Sequence, residues 1–86
     1  MVLVITRSDG EGIRIGEDIY VFALIGEQQV RLAVSAPGHT VQQDADQTVR
    51  IGDSTVVRLL ETRLDRVRLG IEAAPSIPIS REELLV

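Results

Sequence analysis

Residues 49–75 read VRIGDSTVVRLLETRLDRVRLGIEAAP and repeat, with changes, the earlier segment 13–37, which reads IRIGEDIYVFALIGEQQVRLAVSAP. Ten aligned positions are identical, among them Arg-Ile-Gly at 14–16 and 50–52, Val-Arg-Leu at 30–32 and 67–69, and Ala-Pro at 36–37 and 74–75. The offset between matching residues grows from 36 to 38. We place the extra residues at 61–65 and 73–74, where turns and strand ends tolerate insertion.

A repeat of this length limits how the chain can fold. A segment of roughly 35 residues cannot bury enough apolar surface to be stable alone, so the two copies are expected to share one core. With 86 residues, of which 44% are hydrophobic, the chain has enough apolar material for one compact unit. We therefore predict a single domain over residues 1–86, with the internal repeat at 13–37 and 49–75.

The amino-acid composition limits the classes of function that the chain can have. There is no cysteine, and no apolar run is long enough to span a membrane, so a cytoplasmic protein is expected. The net charge is −4, which provides no global attraction for a polyanion. The aromatic residues Tyr20 and Phe22 provide few surfaces on which bases could stack. Any nucleic-acid binding must therefore be local.

The hydrophobic pattern predicts an all-β protein made of two repeated antiparallel units. Apolar and polar residues alternate with a period of two in segments such as 30–34 and 66–72, and Gly-rich or Pro-containing segments separate the runs. A short helix opening at 82–86 is also predicted, because Ser80 followed by Glu83 fits a capping box. The predicted strands are 2–7, 13–15, 19–25, 30–34, 40–42, 48–51, 55–61, 66–72 and 77–81.

The ordered motifs resemble a known family. Residues 3–7 read LVITR, 10–11 read GE, 15–17 read IGE and 30–37 read VRLAVSAP; the second copy adds IGD at 51–53, VRLGI at 67–71 and ISREEL at 79–84. Together these resemble the carbon storage regulator (CsrA/RsmA) family of small bacterial RNA-binding translational regulators. The resemblance covers nearly the whole chain, twice over.

The resemblance implies a particular architecture. Members of the family form an intertwined dimer, in which the first strand of one chain and the last strand of the other grip a GGA-containing RNA hairpin loop, so that a dimer has two sites. The present chain would be a single-chain version of that dimer. It has one family-like first strand, at 3–7, and one family-like last strand, at 77–81. Gln43 stands at the position that matches Arg81 in the other copy, and residues 42–48 lack the apolar run and its Thr-Arg ending.

We therefore expect one intact RNA site and one lost site. A guanidinium offers a rigid fork of donors to phosphate or to guanine O6 and N7, so Arg7 and Arg81 are the principal candidates. Ile5 and Ile79 match apolar positions that back the bases, and Thr6 can donate to backbone or sugar oxygens. The predicted RNA-binding residues are Ile5, Thr6, Arg7, Ile79, Ser80 and Arg81. The expected partner is an mRNA leader or a small regulatory RNA with GGA loops.

Other interpretations remain open from the residues alone. Arg7 and Arg81 could be solvated edge residues that discourage strand-to-strand aggregation. The cluster of Arg58, Arg63, Arg66 and Arg68 is typical of exposed hairpin faces. A rival function is an interaction protein that does not bind RNA and modulates or antagonises a regular family member. The expected state is a monomeric pseudo-dimer, the alternatives being weak self-association or pairing with a regular family member.

No residue pattern predicts an enzyme, a cofactor or a metal site. No nucleophile has a general base at a recognisable spacing. His39 is the only histidine, with no cysteine to complete a metal site. The acids at 44, 46 and 53 lack the spacing of a calcium loop.

Overall fold

The computed structural model describes residues 2–83, which form nine β-strands. The predicted all-β class is confirmed, and each predicted strand corresponds to an observed one. The strands are β1 (Val2–Ser8), β2 (Glu11–Ile15), β3 (Ile19–Ile25), β4 (Val30–Ser35), β5 (Val41–Gln43), β6 (Val49–Ile51), β7 (Thr55–Thr62), β8 (Arg66–Glu72) and β9 (Ile79–Glu83).

Two strands, β2 and β9, differ from the prediction by more than one residue at a boundary. β2 begins at Glu11 because Gly12 already pairs with Phe22 of β3. At the C-terminal end, β9 continues through Glu83 because Glu82 and Glu83 pair with β2. The predicted helix opening at Glu82 is therefore wrong for these two residues, and the rest of that predicted helix, 84–86, lies outside the described residues.

The strands form two antiparallel sheets that exchange segments between the repeats. The five-stranded sheet has the order β1-β8-β7-β6-β5, and the four-stranded sheet has the order β4-β3-β2-β9. Each sheet contains a three-stranded meander from one repeat, and the strands added beside it come from the other half of the chain. The two repeats are therefore intertwined and not merely placed side by side.

Strand register is the same in the two meanders. Ile13 pairs with Val21 as Val49 pairs with Val57. The turns between these strands also match, since Gly16 and Gly52 both have a left-handed φ, of 68° and 61°. Each of these glycines donates a 2.8 Å backbone hydrogen bond to the residue just before the strand added from the other half, to Pro78 and Thr40 respectively. The sequence repeat is thus a repeat of structure.

One added residue of the second copy lies in a strand, not in the following turn. Leu59 pairs with Leu69 and Glu61 pairs with Arg68, so Leu60 is left over as a β-bulge. The sequence comparison of the two copies predicts this insertion at 61–65, one residue later. The Leu60 side chain lies over Gly70, where an added Cβ would come within 3.0 Å of Leu60 Cδ1. A glycine at position 70 therefore makes room for the bulged leucine.

The buried apolar side chains form one cluster between the sheets, and both repeats contribute to it. β1 adds Ile5, which is 6% exposed and inserts beside residues of both meanders. The members of the cluster among the described residues are Ile5, Ile13, Ile15, Ile19, Val21, Ala23, Leu32, Val49, Ile51, Val57, Val67, Leu69 and Ile71.

We expect a charge placed at this core to unfold the whole chain. Val67 and Leu32 come from different repeats and are 1% and 4% exposed. Val67→Asp and Leu32→Asp should each destabilise the protein by more than about 4 kcal/mol, because an unpaired carboxylate would be buried. Ala33→Asp, at an exposed position of the same strand as Leu32, is the control and should remain folded. Urea unfolding followed by circular dichroism measures all three variants.

We also expect that neither repeat folds alone. Cutting the chain near Asp46 separates the two contributions to the cluster, so each half would leave its apolar face in water. Both peptides should give circular dichroism spectra of unfolded chains, and mixing them should restore a cooperative melt. A sheet-like spectrum with a cooperative transition in either half alone would contradict the shared core.

Candidate nucleic-acid interface

The ends of β1 and β9 meet at a corner between the two sheets. β1 is an outer strand of the five-stranded sheet, and β9 is an outer strand of the four-stranded sheet. Arg7 joins them, since its Nη1 donates to the carbonyl oxygens of Gly12, at 3.3 Å, and of Glu82, at 3.4 Å. The structure therefore brings together the two segments that the sequence marked as a candidate site.

The guanidinium of Arg7 is used mainly within the protein. Its side chain is 11% exposed, and its Nη2 lies 3.5 Å from Glu11 Oε1. Its Nε donates to the carbonyl oxygen of Thr6 at 3.0 Å. Only a glycine fits at position 12, where Arg7 contacts β2, because an added Cβ would lie 2.1 Å from the carbonyl oxygen of Val21. Arg7 thus holds the two sheet edges in place.

Arg81 has a different environment from Arg7. It is exposed, and its backbone pairs with Ile13 in β2. Since side chains alternate along a strand, Arg81 shares a face with Ile79, which packs against the core, and Ser80 faces the other way. The guanidinium of Arg81 is therefore presented to solvent from a strand that the core anchors.

The remaining predicted residues also differ in how far their side chains are exposed. Thr6 and Ser80 are exposed and Ile79 is half-buried. Ile5 belongs to the core, so its side chain supports β1 from below and is not available for direct contact with a ligand. Of the six predicted residues, the structure thus exposes Thr6 on β1 and both Ser80 and Arg81 on β9, where the last two lie on opposite faces of the strand.

A surface with several arginines borders the β1–β9 corner. The sequence alone did not connect this surface with the candidate site. Thr6 pairs with Arg68 of β8 and lines a cavity of about 330 Å³ together with Arg63 and Arg66. These arginines are exposed and form ion pairs, for example 2.6 Å between Arg63 Nη2 and Glu61 Oε1. The interpretation of the cluster as an exposed hairpin face therefore fits. Its proximity to Thr6 depends on the pairing of β1 with β8, which residue spacing alone does not indicate.

The pseudo-equivalent corner lacks these features. Val41 pairs with Ile51 as Ile79 pairs with Ile15, so the register places Gln43 at the position of Arg81. β4, the counterpart of β8, has β3 on one side and no described strand on the other. The second corner therefore has neither the added strand nor the arginine.

Within residues 2–83, no group of three or more His, Cys, Asp or Glu side chains is placed to hold a metal ion. His39 Nε2 lies 3.5 Å from Asp18 Oδ1 at the surface. No helix in the described part of the chain is long and apolar enough to cross a membrane.

The fold and the corner define a duplicated all-β protein of the carbon storage regulator type. The sequence profile of the Global regulator protein family, CsrA, matches residues 2–42 and again residues 40–86, and the chain belongs to that family. A curated relative, the Translational regulator CsrA of Nocardioides sp., is 46% identical over 41 residues, which are 48% of this chain and 49% of the relative. The chain thus spans about half the length of this relative. No solved structure matches the chain.

We predict that the two arginines of the corner differ in their effect on stability. Arg7→Ala leaves the carbonyls of Gly12 and Glu82 without their donor and should cost about 1–3 kcal/mol in the free energy of unfolding. Arg81→Ala removes an exposed side chain and should change it by less than about 0.5 kcal/mol. Thermal melts of both variants measure the difference. Equal melting temperatures would contradict the structural role of Arg7.

Proposed function

We propose that this chain is an RNA-binding translational regulator that binds one hairpin with an exposed GGA loop at the β1–β9 corner. The observation that carries the proposal is that Arg7 joins the ends of β1 and β9, with Thr6 exposed on β1 and Arg81 exposed on β9, while the equivalent corner has Gln43 and no added strand. Membership in the CsrA family and the name of the Nocardioides relative support it.

Each residue at the corner would have a distinct part in binding. The exposed fork of Arg81 suits a phosphate or the O6 and N7 atoms of a guanine in the loop. The hydroxyl groups of Thr6 and Ser80 can bond to phosphate and sugar oxygens. Ile5 and Arg7 would act as positioning residues, because they hold β1 against the core and against β9. A hairpin in a message leader that is held in this way would be unavailable to the ribosome.

The net charge of the chain determines whether RNA is held by local contacts or by a general electrostatic attraction. Because the chain carries a charge of −4, affinity must come from local contacts and not from a general attraction to RNA. With two or three phosphates neutralised, the logarithm of the affinity should fall with the logarithm of salt with a slope of about −1.5 to −2. A steep slope would indicate non-specific electrostatic binding.

The decisive experiment is a titration of a labelled GGA hairpin against the protein. Arg81→Ala should weaken binding by roughly 1–3 kcal/mol, because it removes the exposed fork. Gln43→Ala, a truncation at the pseudo-equivalent position, is the matched control and should leave the affinity unchanged. A hairpin with CCA in place of GGA should bind at least about tenfold more weakly.

Stoichiometry tests the single site. Titration with unlabelled hairpin well above the dissociation constant should saturate at one RNA per chain. Two RNAs per chain would contradict the loss of the second corner. No binding by the unmodified chain at low salt would contradict the proposal as a whole.

We further propose that the chain acts as a monomeric pseudo-dimer in the cytoplasm and has no enzymatic role. The added strands β1, β5 and β9 come from the same chain as the meanders they cover. Light scattering at micromolar concentration should therefore give a mass near 9.4 kDa. A stable mass of twice that value would contradict the monomer and would indicate strand exchange between chains.

The second candidate function is that of an interaction protein that modulates a regular family member without binding RNA. One observation favours it: β4 is an outer strand without the strand partner that its counterpart β8 has. The hairpin titration separates the two functions, because an interaction protein would show no affinity for the GGA loop.

A further inference from the structure

A cavity on the outer face of the five-stranded sheet is lined by three arginines. Arg68 lies opposite Thr6 of β1, and Arg66 lies opposite Ser8. Arg63 lies across the tip of the β7–β8 hairpin from Arg66, since its N–H donates to the Arg66 carbonyl oxygen at 2.8 Å. Residues opposite each other on paired strands, and residues two apart on one strand, point to the same side of a sheet. The three guanidiniums therefore converge on one cavity of about 330 Å³.

Three cations side by side repel each other, and two carboxylates offset this repulsion. Like charges opposite each other on paired strands destabilise a sheet. Glu61 Oε1 lies 2.6 Å from Arg63 Nη2, and Glu61 Oε2 lies 3.6 Å from Arg68 Nη1. Asp65 Oδ1 accepts a 3.3 Å hydrogen bond from Arg66 Nε, which holds the pKa of the Asp65 carboxyl below its usual range. Two carboxylates and three guanidiniums line the cavity, so it keeps an excess of one positive charge.

The β-bulge at Leu60 accounts for the acid at this position. In the first repeat Leu24 lies opposite Arg31, and in the second repeat Glu61 lies opposite Arg68. Without the bulge, Leu60 would lie opposite Arg68 and the cavity would have no acid on β7. The tip of the β3–β4 hairpin in the first repeat reads GEQQ and has no arginine. The arginine cavity is therefore a feature of the second repeat and not of the structure that the two repeats share.

The ion pairs around the cavity can open without burying a charge. The side chains of Glu61 and Asp65 are 38% and 73% exposed, so either carboxylate can turn into water. Exposed ion pairs of this kind contribute little to stability, so separating them is not costly. Within residues 2–83, no hydrogen bond comes from the guanidinium of Arg68 or from either Nη atom of Arg66. Donors are therefore available to an incoming anion.

The number and arrangement of the charges indicate which kind of anion fits. A phosphate group carries a charge of about −1.5 to −2 at neutral pH, so two adjacent phosphate groups match three guanidiniums once the carboxylates have turned away. A guanidinium is a planar fork that bonds two phosphate oxygens at once, which a single exposed ion pair does not do. An RNA strand spreads its charge along its length, whereas convergent guanidiniums match charge that is concentrated in one small group.

We propose that the cavity between β1 and the tip of the β7–β8 hairpin binds a small anion with two adjacent phosphate groups, such as free pyrophosphate or the phosphates of a nucleoside di- or triphosphate. Arg63, Arg66 and Arg68 are the donors, and the Thr6 hydroxyl, which also lines the cavity, can donate one further hydrogen bond. Glu61 is the competitor that the anion displaces from Arg63 and Arg68. This inference does not rest on RNA binding, although Thr6 is common to the two sites.

The test is isothermal titration calorimetry of the full chain with sodium pyrophosphate, at fixed ionic strength and without divalent cations. The Arg63→Ala/Arg66→Ala double variant should bind at least about tenfold more weakly than the unmodified chain, because two of the three forks are removed. Arg31→Ala, at the position of the first repeat that is equivalent to Arg68, is the matched control and should bind as the unmodified chain does. All three side chains are exposed, so circular dichroism should show each variant folded. Equal affinity of the double variant and the unmodified chain would overturn the proposal.

Glu61→Gln tests the competition for the arginines. The substitution keeps the size of the side chain and removes the charge that pairs with Arg63 and Arg68. This variant should bind pyrophosphate about fivefold more tightly than the unmodified chain. Unchanged or weaker binding would overturn the role of Glu61 as a competitor.

A series of anions identifies the chemistry that the cavity recognises. Inorganic phosphate and AMP should bind at least about tenfold more weakly than pyrophosphate, and AMP binding as tightly as pyrophosphate would overturn the recognition of two adjacent phosphates. Binding of both ATP and pyrophosphate would support a nucleotide as the source of the phosphates, and binding of pyrophosphate without ATP would support the free anion. Tighter binding of a short oligouridylate than of pyrophosphate would overturn the proposal and assign the arginines to an RNA backbone. Absence of pyrophosphate binding at about 10 mM would also overturn it.

Discussion

The pairing of β1 with β8 is the contact on which the rest of the structure depends. It places the first strand of the chain on the meander of the second repeat, over the full length Val2–Ser8. It also inserts Ile5 into the core and brings Arg7 to the carbonyl oxygen of Glu82 in β9. This antiparallel ladder therefore links the two repeats, completes the core and builds the corner that we propose as the RNA site.

The asymmetry of the molecule follows from having this ladder only once. The backbone of an outer strand needs hydrogen-bonding partners, and β8 obtains them from β1. β4 has no such strand, and at Leu32 it obtains them from Gln43 and Gln47. The same residue change explains two features, since Gln43 both replaces the arginine of the equivalent corner and bonds to the exposed edge. The absence of an arginine at the equivalent corner and the protection of one edge are thus physically connected.

Sequence and structure agree most closely where local periodicity controls the outcome. Apolar runs, alternation with a period of two and the turn residues between them located the nine strands, because most of the strands have one dry face. Disagreements occur where contacts distant in sequence decide. The strand at 82–83 forms because Gly12 and Glu11 pair with it, although its local sequence fits a helix cap. Leu60 is bulged because Gly70, on the neighbouring strand, leaves space for it.

The sequence by itself determined the all-β class, the duplication and the residues of the candidate corner, because these depend on hydrophobic spacing and on which residues repeat. Only the tertiary structure decided what each of those residues can do. Arg7 and Arg81 end similar apolar runs, yet Arg7 is 11% exposed and tied to backbone oxygens, while Arg81 is open to solvent. The physical reason is that exposure and hydrogen bonding are set by neighbouring strands, here Gly12 and Glu82, which lie close in space through strand pairing and not through sequence.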